Sequence, residues 1–338
     1  MKADLNVRFR GQYEEFPDSL IMCVVSTVSP VPVVFDNSRA PDLEIVGPAP
    51  RRRFLKKFTR RKRGNSDGRL FGNRTKAKVV LFHSEENSRY VAGLADYSIG
   101  PDIGFARDDF FRMPNWWSSI DWSSQGVNHK PSPRIRNLIR PDQLCEPLGA
   151  STLERPRRAA IFATHMTEPR VTLLRELSNV IEIDGFGRHF DKSVAHHNKS
   201  GFYKDDVLKG YMFCLCPEGG MYPGYYTERI PESYGAGSIP LGFADQNVDV
   251  DFQGGFVNLA NFAGEGYARG FERALEPANL ERLVSTPLMD RPPDIRGLLG
   301  FMDRIISRAL GGSGRQVRDS DPNLLANQTT LKKGRYDA

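Results

Sequence analysis

The chain has 338 residues, of which 39 % are hydrophobic, 26 % charged and 10 % aromatic. This length corresponds to about two domains of ordinary size, and the apolar content can fill a core in each, which excludes a small disulfide-stapled scaffold and a disordered chain. No apolar run approaches the roughly 18 residues that a membrane-spanning helix needs. The start MKADLN lacks the basic and apolar regions of a secretory signal, so we expect a cytoplasmic protein with reduced cysteines.

The formal net charge of +6 is concentrated in one segment. Residues 51–63 (RRRFLKKFTRRKR) hold nine basic side chains and no acidic one, so the rest of the chain carries −3. A nucleic-acid-binding protein spreads positive charge over a face, and we therefore expect no nucleic-acid partner. If the segment is helical, its apolar residues Phe54, Leu55 and Phe58 share one side, which suits peripheral binding to an anionic inner membrane face. A solvated loop is the equally weighted alternative.

Short apolar runs in the first half predict a parallel sheet. These runs are nearly continuous in apolar or β-branched character, as in strands that helices cover on both faces. The predicted strands are residues 20–25 (LIMCVV), 32–35, 43–46 and 77–82. Residues 114–145 contain Trp116, Trp117 and Trp122 among Ser, Asn and Pro, and this composition predicts loops and short helices.

A second α/β series follows the polar stretch STLERPRR at residues 151–158, so we place a domain boundary between residues 155 and 156. Alternating strand and helix patterns continue from there with crossovers long enough for parallel pairing. The predicted strands are residues 159–163, 180–183, 211–216, 238–243 and 255–259, and the predicted helices are residues 168–177 and 205–209.

An amphipathic helix is predicted at residues 294–310, and residues 313–338 are expected to form a polar, flexible tail. The pattern as a whole predicts the α/β class. We expect two Rossmann-like domains, residues 1–155 and 156–312, that face a ligand-binding cleft. Neither G-x-G-x-x-G after the first strand nor G-x-x-x-x-G-K-[ST] occurs, which argues against a standard dinucleotide oxidoreductase and a P-loop NTPase.

The densest group of candidate functional residues follows the predicted strand that ends at Cys216. A Gly- and Tyr-rich loop leads to Thr227, Glu228 and Arg229, which open a predicted helix. Free backbone N–H groups and the helix dipole favour an anion such as phosphate at this point. Arg229 can pair with a diphosphate, Glu228 can accept from a ribose diol and Tyr225 can stack on a base. An ordinary capped helix start with exposed charges is the alternative.

These residues resemble the donor-binding motif of the family 10 glycosyltransferases, the α-1,3/1,4-fucosyltransferases. That motif runs F-x-x-x-x-E-N, a short loop, Y-x-T-E-K-I and then G-x-I-P, and the chain matches it in order at residues 213–218, 225–230 and 237–240. The chain departs from the motif at two positions. Gly219 stands where the family has asparagine, and Arg229 stands where it has lysine.

The resemblance extends over most of the chain from residue 43 to about residue 262. FHSEEN at residues 82–87, LADYSIG at 94–100 and RMP at 112–114 are similar to the family's T-G-E-N, D-Y-A-I-G-F and R-x-P series. IDGFGR at residues 183–188 is similar to its V-D-x-F-G-R strand end. The resemblance implies a GT-B type fold in which the N-terminal domain binds a glycan acceptor and the C-terminal domain binds GDP-fucose.

The resemblance also implies an inverting transfer of fucose to a glycan hydroxyl, as in an α-1,3-fucosyltransferase. Glu86 matches the family's T-G-E-N glutamate and is the expected base, with the adjacent Glu85 as its rival. Arg229 and Arg188 would stabilise the charge on the leaving diphosphate. The full set of donor-binding residues predicted here is Arg188, Glu218, Tyr225, Thr227, Glu228 and Arg229.

No D-x-D motif stands where a metal-dependent transferase would carry it, so we expect no obligatory metal or other cofactor. The acceptor pocket is expected in first-domain loops such as residues 116–128, with lipopolysaccharide glycans and small oligosaccharides both open as acceptors. Two alternative functions stay open. One is an enzyme of the same fold that uses another nucleotide sugar, and the other is a polyanion- or membrane-binding protein built around residues 51–63.

Overall fold

The computed structural model describes residues 3–11, 18–35, 39–47, 76–190 and 203–311. The basic segment 51–63 and the predicted tail 313–338 lie outside the described residues. The described chain divides into two compact units. The N-terminal unit comprises the residues up to 115 together with 123–129 and the stretch from 294, and the C-terminal unit comprises residues 116–122 and 130–293.

Six parallel strands form the sheet of the N-terminal unit. They are β1 (Leu5–Arg10), β2 (Val33–Phe35), β3 (Leu43–Val46), β4 (Val79–His83), β5 (Tyr97–Gly100) and β6 (Phe110–Arg112). Their order in the sheet is β2-β1-β3-β4-β5-β6, with every neighbouring pair parallel. β3 and β4 are buried along their whole length, as their continuous apolar runs predict for strands in the middle of a covered sheet.

Residues 20–25 were expected to form a strand, and this prediction is wrong. They begin helix α1 (Leu20–Val28), in which Leu20, Ile21, Val24 and Val25 are buried. The run LIMCVV is apolar at every position, so it shows neither the period of a strand nor that of a helix. The strand β1 precedes it instead, with the alternating sequence LNVRFR.

Five parallel strands form the sheet of the C-terminal unit. They are β7 (Ala159–Phe162), β8 (Ile183–Phe186), β9 (Phe213–Pro217), β10 (Ile239–Phe243) and β11 (Val257–Asn258), in the order β11-β10-β9-β7-β8. The helices of this unit are α2 (Arg170–Leu177), α3 (Lys204–Leu208), α4 (Arg229–Gly235), α5 (Tyr267–Ala274) and α6 (Pro277–Ser285). Apolar side chains of the central strands, such as Phe213, Leu215 and Leu241, pack with Phe271 of α5 in one core.

Helix α7 (Arg296–Ala309) confirms the amphipathic helix predicted at residues 294–310. It packs on α1 and β4, and its Phe301 ring lies 5.8 Å from the ring of Tyr97. The C-terminal end of the predicted second domain therefore groups with the N-terminal unit. Residues 130–155 group with the C-terminal unit, where Gly149 N donates to Val284 O at 2.9 Å. The two compact units therefore do not meet at a single boundary between residues 155 and 156. The polar stretch at residues 151–158 leads into β7, and residues on both sides of it belong to the C-terminal unit.

The α/β class with two parallel sheets is as expected. Residues 114–145 are irregular, with 3₁₀ turns at Asn115–Ser119, Ser123–Gln125 and Asp142–Cys145. The three tryptophans of this stretch are buried, with Trp117 the most exposed at 8 %. Their indoles therefore present no face to a ligand. This differs from the expectation that residues 116–128 line the acceptor pocket. Within the described ranges, none of the helices combines the length and apolar character that crossing a bilayer requires.

Candidate functional site

The candidate site lies at the carboxyl edge of the C-terminal sheet. β9 ends at Pro217, and the loop that follows leads to Arg229, the first residue of α4. β7 is the neighbour of β9, and the loop after it leads to Arg170, the first residue of α2. Because the two strands are parallel, both loops leave the sheet at the same edge, which is where open α/β sheets bind their ligands.

A buried carboxyl group holds the loop after β9. Glu218 is 1 % exposed, and it accepts from Thr227 N at 2.8 Å and from Thr227 Oγ1 at 2.9 Å. Burial raises the pKa of Glu218 to about 7, although Arg229 and the bonds from Thr227 act in the opposite direction. Glu218 and Thr227 were predicted to bind the donor, and their mutual hydrogen bonds favour a role in positioning the loop.

Arg229 is tied to the neighbouring strand. Its Nη1 donates to the carbonyl of Phe162, the last residue of β7, at 3.2 Å. Burial acts to lower the pKa of Arg229, and Glu228 and Glu218 more than offset it, so that the pKa is raised. The guanidinium is therefore firmly charged and fixed at the edge of the sheet.

Glu228 is ionised at neutral pH. Burial acts to raise its pKa, but Arg134, Arg229 and Lys204 outweigh it and lower the pKa to about 2. Arg134 Nη1 lies 3.7 Å from Glu228 Oε1, a pair in which both side chains keep partial exposure. A partly exposed carboxylate of this kind is a hydrogen-bond acceptor only, as binding of a ribose diol requires.

Arg170, which is not among the residues predicted from the sequence, belongs to the same cluster. Its Nη1 donates to His165 O at 2.9 Å, and its Nε has no hydrogen-bond partner among the residues that the structure describes. Burial lowers the pKa of Arg170, and the positive charge of Arg229 lowers it further. Two guanidinium groups that repel each other gain most from an anion bound between them, and a diphosphate supplies that charge. The available signal was an arginine opening a helix after a strand, in EPRVTLL.

Gly219 adjoins this cluster. A Cβ atom added at Gly219 would lie 3.8 Å from Arg170 Nη2, which is an ordinary van der Waals distance. The glycine therefore leaves open space beside a guanidinium, at the position where the family motif carries an asparagine side chain.

The remaining predicted donor-binding residues differ in exposure. Tyr225 is 8 % exposed, so only a small part of its ring is available for contact with a base. Arg188 is exposed two residues beyond the end of β8, and no hydrogen bond or ion pair joins its side chain to another residue of the described ranges. The structure brings Arg170, and not Arg188, into electrostatic contact with Arg229.

A buried ion pair joins α3 to the first turn of α4. Lys204 Nζ of α3 lies 2.8 Å from Glu232 Oε2 of α4, and Ser119 Oγ donates to Glu232 Oε1 at 2.9 Å. Burial acts to lower the pKa of Lys204, and Glu232 more than offsets it, so that the pKa is raised. The pair fixes the helix that carries Arg229.

The predicted base lies in the N-terminal unit. Glu85 and Glu86 are both exposed in the loop after β4, where Glu86 N donates to Ser84 Oγ at 3.1 Å. The Glu85 carbonyl accepts a hydrogen bond from the side chain of Asn115. The structure does not bring three or more His, Cys, Asp or Glu side chains of its described residues into an arrangement that could hold a metal ion.

Comparison with protein families decides the relationship of this site. Residues 154–266 match the model described as glycosyltransferase family 10 (fucosyltransferase) C-term. This part of the chain is therefore similar to the C-terminal domain of glycosyltransferase family 10. The matched residues include β7 to β11 and both arginines, and the resemblance drawn from the donor motif is thereby confirmed.

A curated relative and solved structures extend the comparison beyond residues 154–266. Over 227 residues the chain is 26 % identical to the α-(1,3)-fucosyltransferase FucT of Helicobacter pylori, covering 62 % of this chain and 47 % of the relative. The chain thus spans about half the length of that relative. A crystal structure of an α1,3-fucosyltransferase is similar to 90 % of this chain over 90 % of its own length, with a TM-score of 0.60. A crystal structure of an α1,3-fucosyltransferase with GDP-fucose is similar to 90 % of this chain over 91 % of its own length, with a TM-score of 0.59. At 19 % identity, this likeness shows a shared GT-B type fold.

Proposed function

We propose that the chain transfers fucose from GDP-fucose to a hydroxyl of a glycan acceptor, with inversion at the anomeric carbon and in α-1,3 linkage. The observation that carries the proposal is the pair Arg170 and Arg229 at the carboxyl edge of a family 10 domain. The relative from Helicobacter pylori is named an α-(1,3)-fucosyltransferase, and one structural neighbour was solved with GDP-fucose. The first name gives the sugar that is transferred, and the second gives a donor that carries this sugar.

The two arginines bind the diphosphate of the donor in this proposal. Charge-assisted hydrogen bonds from guanidinium to phosphate are among the strongest in proteins, and the planar fork allows two parallel bonds. When the bond from fucose C1 to the diphosphate oxygen breaks, negative charge grows on the diphosphate. Fixed positive groups stabilise that charge more in the transition state than in the ground state and so lower the barrier.

The rest of the donor is recognised by neighbours of Arg229. The Glu228 carboxylate accepts hydrogen bonds from the ribose hydroxyls, and the exposed part of Tyr225 contacts the base. Glu218 and Thr227 hold the loop that carries both residues. Arg188, which is exposed beyond the end of β8, stays a predicted contact for the diphosphate, but a weaker one than Arg170.

Glu86 is the proposed base. The acceptor hydroxyl oxygen attacks fucose C1 on the face opposite GDP, its proton passes to the Glu86 carboxylate, and the electron pair of the broken C1–O bond leaves with GDP. Attack from the opposite face inverts the configuration at C1. The contact of Glu86 N with Ser84 Oγ fixes the backbone at this residue and supports its choice. Glu85 is the rival.

We further propose a cytoplasmic location, with residues 51–63 as a contact to an anionic inner membrane face. Nine positive charges without a negative one support it. Flotation of the full chain with vesicles containing anionic lipid tests this contact. Protein that stays unbound at low salt would contradict it.

A transfer assay tests the proposed function. The full chain is incubated with GDP-fucose and a panel of oligosaccharides, and products are analysed by mass spectrometry and by the anomeric coupling in NMR. We expect a fucosylated product of inverted configuration and loss of transfer in Glu86→Gln, with activity kept in Glu85→Gln. Transfer from another nucleotide sugar in place of GDP-fucose would overturn the donor assignment, and a fully active Glu86→Gln would overturn the base.

A further inference from the structure

Two loops are fastened together at the carboxyl edge of the N-terminal sheet. One follows β4 and the other follows β5, its neighbour in the sheet. Asp102 joins them, because its carboxylate accepts from Tyr90 N at 2.8 Å and from Arg89 Nη1 at 3.0 Å. Asp102 is 2 % exposed, so the carboxylate that joins the two loops is buried. The first of these loops also contains Glu86, the proposed base.

Three aromatic rings form a cluster at these loops, with Tyr90 and Phe105 on the loops and Phe110 at the start of β6. The ring centre of Tyr90 lies 5.2 Å from that of Phe105 and 4.8 Å from that of Phe110, and Phe105 and Phe110 are 5.6 Å apart. The Tyr90 hydroxyl donates to Asp109 Oδ2 at 3.0 Å, and Arg107 Nε donates to Asp109 Oδ1 at 2.7 Å. The Asp109 carboxylate thus links the Tyr90 hydroxyl and the Arg107 guanidinium by hydrogen bonds beside the rings.

The inner and outer sides of this cluster differ. Phe110 is 6 % exposed and forms its base, whereas Phe105 is 40 % exposed. The next residue along the first loop, Val91, is 42 % exposed. Arg107 and Asp109 are partly exposed beside the rings. Exposed apolar surface therefore lies directly beside charged side chains, which suits a ligand that has both an apolar face and polar groups.

We propose that Tyr90 and Phe105 form the surface on which a sugar ring of the acceptor glycan stacks, with Arg107 and Asp109 binding its hydroxyl groups. A pyranose ring offers an apolar C–H face and a rim of hydroxyls, which match an aromatic face and a charged rim. The occupant follows from the position, because the same loop carries Glu86, which must reach an acceptor hydroxyl. This inference rests on the proposed function. It places the contact with the acceptor at the exposed rings of Tyr90 and Phe105, and not at the buried tryptophans of residues 116–122.

The test measures glycan binding by the full chain, with GDP present in the buffer, on an array of oligosaccharides. We compare the unchanged protein with Phe105→Ala and Phe105→Trp. Phe35→Ala is the matched control, because Phe35 is 36 % exposed on β2, at the far edge of the same sheet. We expect Phe105→Ala to weaken binding of the retained glycan about tenfold, and Phe105→Trp and Phe35→Ala to change it by less than about threefold. With that glycan as acceptor, KM should rise about tenfold in Phe105→Ala while kcat is kept.

The outcomes separate this inference from the proposed function. If GDP binds in calorimetry and no glycan is retained, the stacking surface is overturned and the donor site stands. If glycans are retained through Phe105 and GDP fails to bind, the surface stands and the proposed function falls. Equal losses in Phe105→Ala and Phe35→Ala would overturn the inference. A change of oligomeric state in Phe105→Ala, seen by sedimentation with glycan binding unchanged, would also overturn it, because a second copy would then cover the surface.

Discussion

Thr227 donates two hydrogen bonds to Glu218, from its backbone N to Oε1 at 2.8 Å and from its hydroxyl to Oε2 at 2.9 Å. The pair closes the loop between β9 and α4, which carries Tyr225 and Glu228. Burial raises the pKa of the enclosed carboxyl from 4.5 to about 7. Glu218 therefore binds its proton more tightly in the folded chain than in the unfolded chain, and ionising it opposes folding.

Glu218→Gln should remove a pH dependence of stability. Below pH 4.5 the carboxyl is protonated in both states and contributes nothing to the pH dependence. As the pH rises from 4.5 to about 7, the unchanged protein should lose about 3 kcal/mol of unfolding free energy relative to Glu218→Gln. Urea unfolding at pH values from 4.5 to about 7 measures this difference in unfolding free energy. Glu281→Gln, at an exposed position on α6, is the control. Parallel pH profiles for unchanged protein and Glu218→Gln would contradict this account.

Arg170 should matter more for nucleotide binding than Arg188. Loss of a charge-assisted hydrogen bond to phosphate typically costs about 1.5–3 kcal/mol, so Arg170→Ala should weaken GDP binding by about 10- to 100-fold. The GDP affinity of Arg170→Lys should lie between those of the unchanged protein and Arg170→Ala, because an ammonium group keeps the charge but lacks the planar fork. Arg188→Ala should change affinity by less than about threefold, since its exposed side chain is not held at the cluster. Calorimetric titration with GDP compares the three variants, and the reverse ranking would refute the assignment of Arg170.

Gly219→Asn should be tolerated and should support donor binding. Its Cβ would meet Arg170 Nη2 at 3.8 Å, an ordinary contact, so the unfolding free energy should change by less than about 0.5 kcal/mol. The added amide can donate to the diphosphate, and GDP-fucose should bind at least as tightly. Gly237→Ala is the contrasting control, because Gly237 has φ +81° and its Cβ would overlap the guanidinium of Arg155. A weaker affinity of Gly219→Asn for GDP-fucose would show that the open space itself is needed.

The buried pair of Lys204 and Glu232 should be important for stability. Lys204→Met leaves the Glu232 carboxylate buried without its cation and should cost about 3–5 kcal/mol. Ser119→Ala removes one hydrogen bond to the same carboxylate and should cost less, about 1.5–3 kcal/mol. The double variant Lys204→Met with Glu232→Leu should recover most of the loss, because no unpaired charge remains. Denaturant titration measures all three, and a double variant no more stable than Lys204→Met would contradict the explanation.

Sequence patterns were most informative where a predicted strand is followed, within one segment, by charged and polar residues in the order of the donor motif. Residues 213–217 and 229–235 form the strand and helix that the donor motif predicts, with the polar loop between them. The helix at residues 296–309 was predictable because its apolar residues keep a helical period over four turns. Period and local order are properties that a sequence displays directly.

The sequence was least informative where an outcome depends on distant packing. The apolar run that begins at Leu20 has no period, so its helical form could not be distinguished from a strand. Arg170 lies 59 positions before Arg229, and only the pairing of β7 with β9 places their loops at one edge. The tryptophans at 116–122 have the composition of a binding loop, yet their burial follows from contacts such as that of Trp116 with Phe252, 5.5 Å between ring centres.

Calorimetric titration of the full chain with GDP-fucose, GDP-mannose, UDP-galactose and GDP tests the donor assignment most directly. The account predicts that GDP-fucose binds in preference to the other two sugar nucleotides, that Arg229→Ala weakens this binding by at least about tenfold, and that Glu86→Gln leaves it unchanged. Preferred binding of UDP-galactose, or GDP-fucose affinity that survives Arg229→Ala, would contradict it.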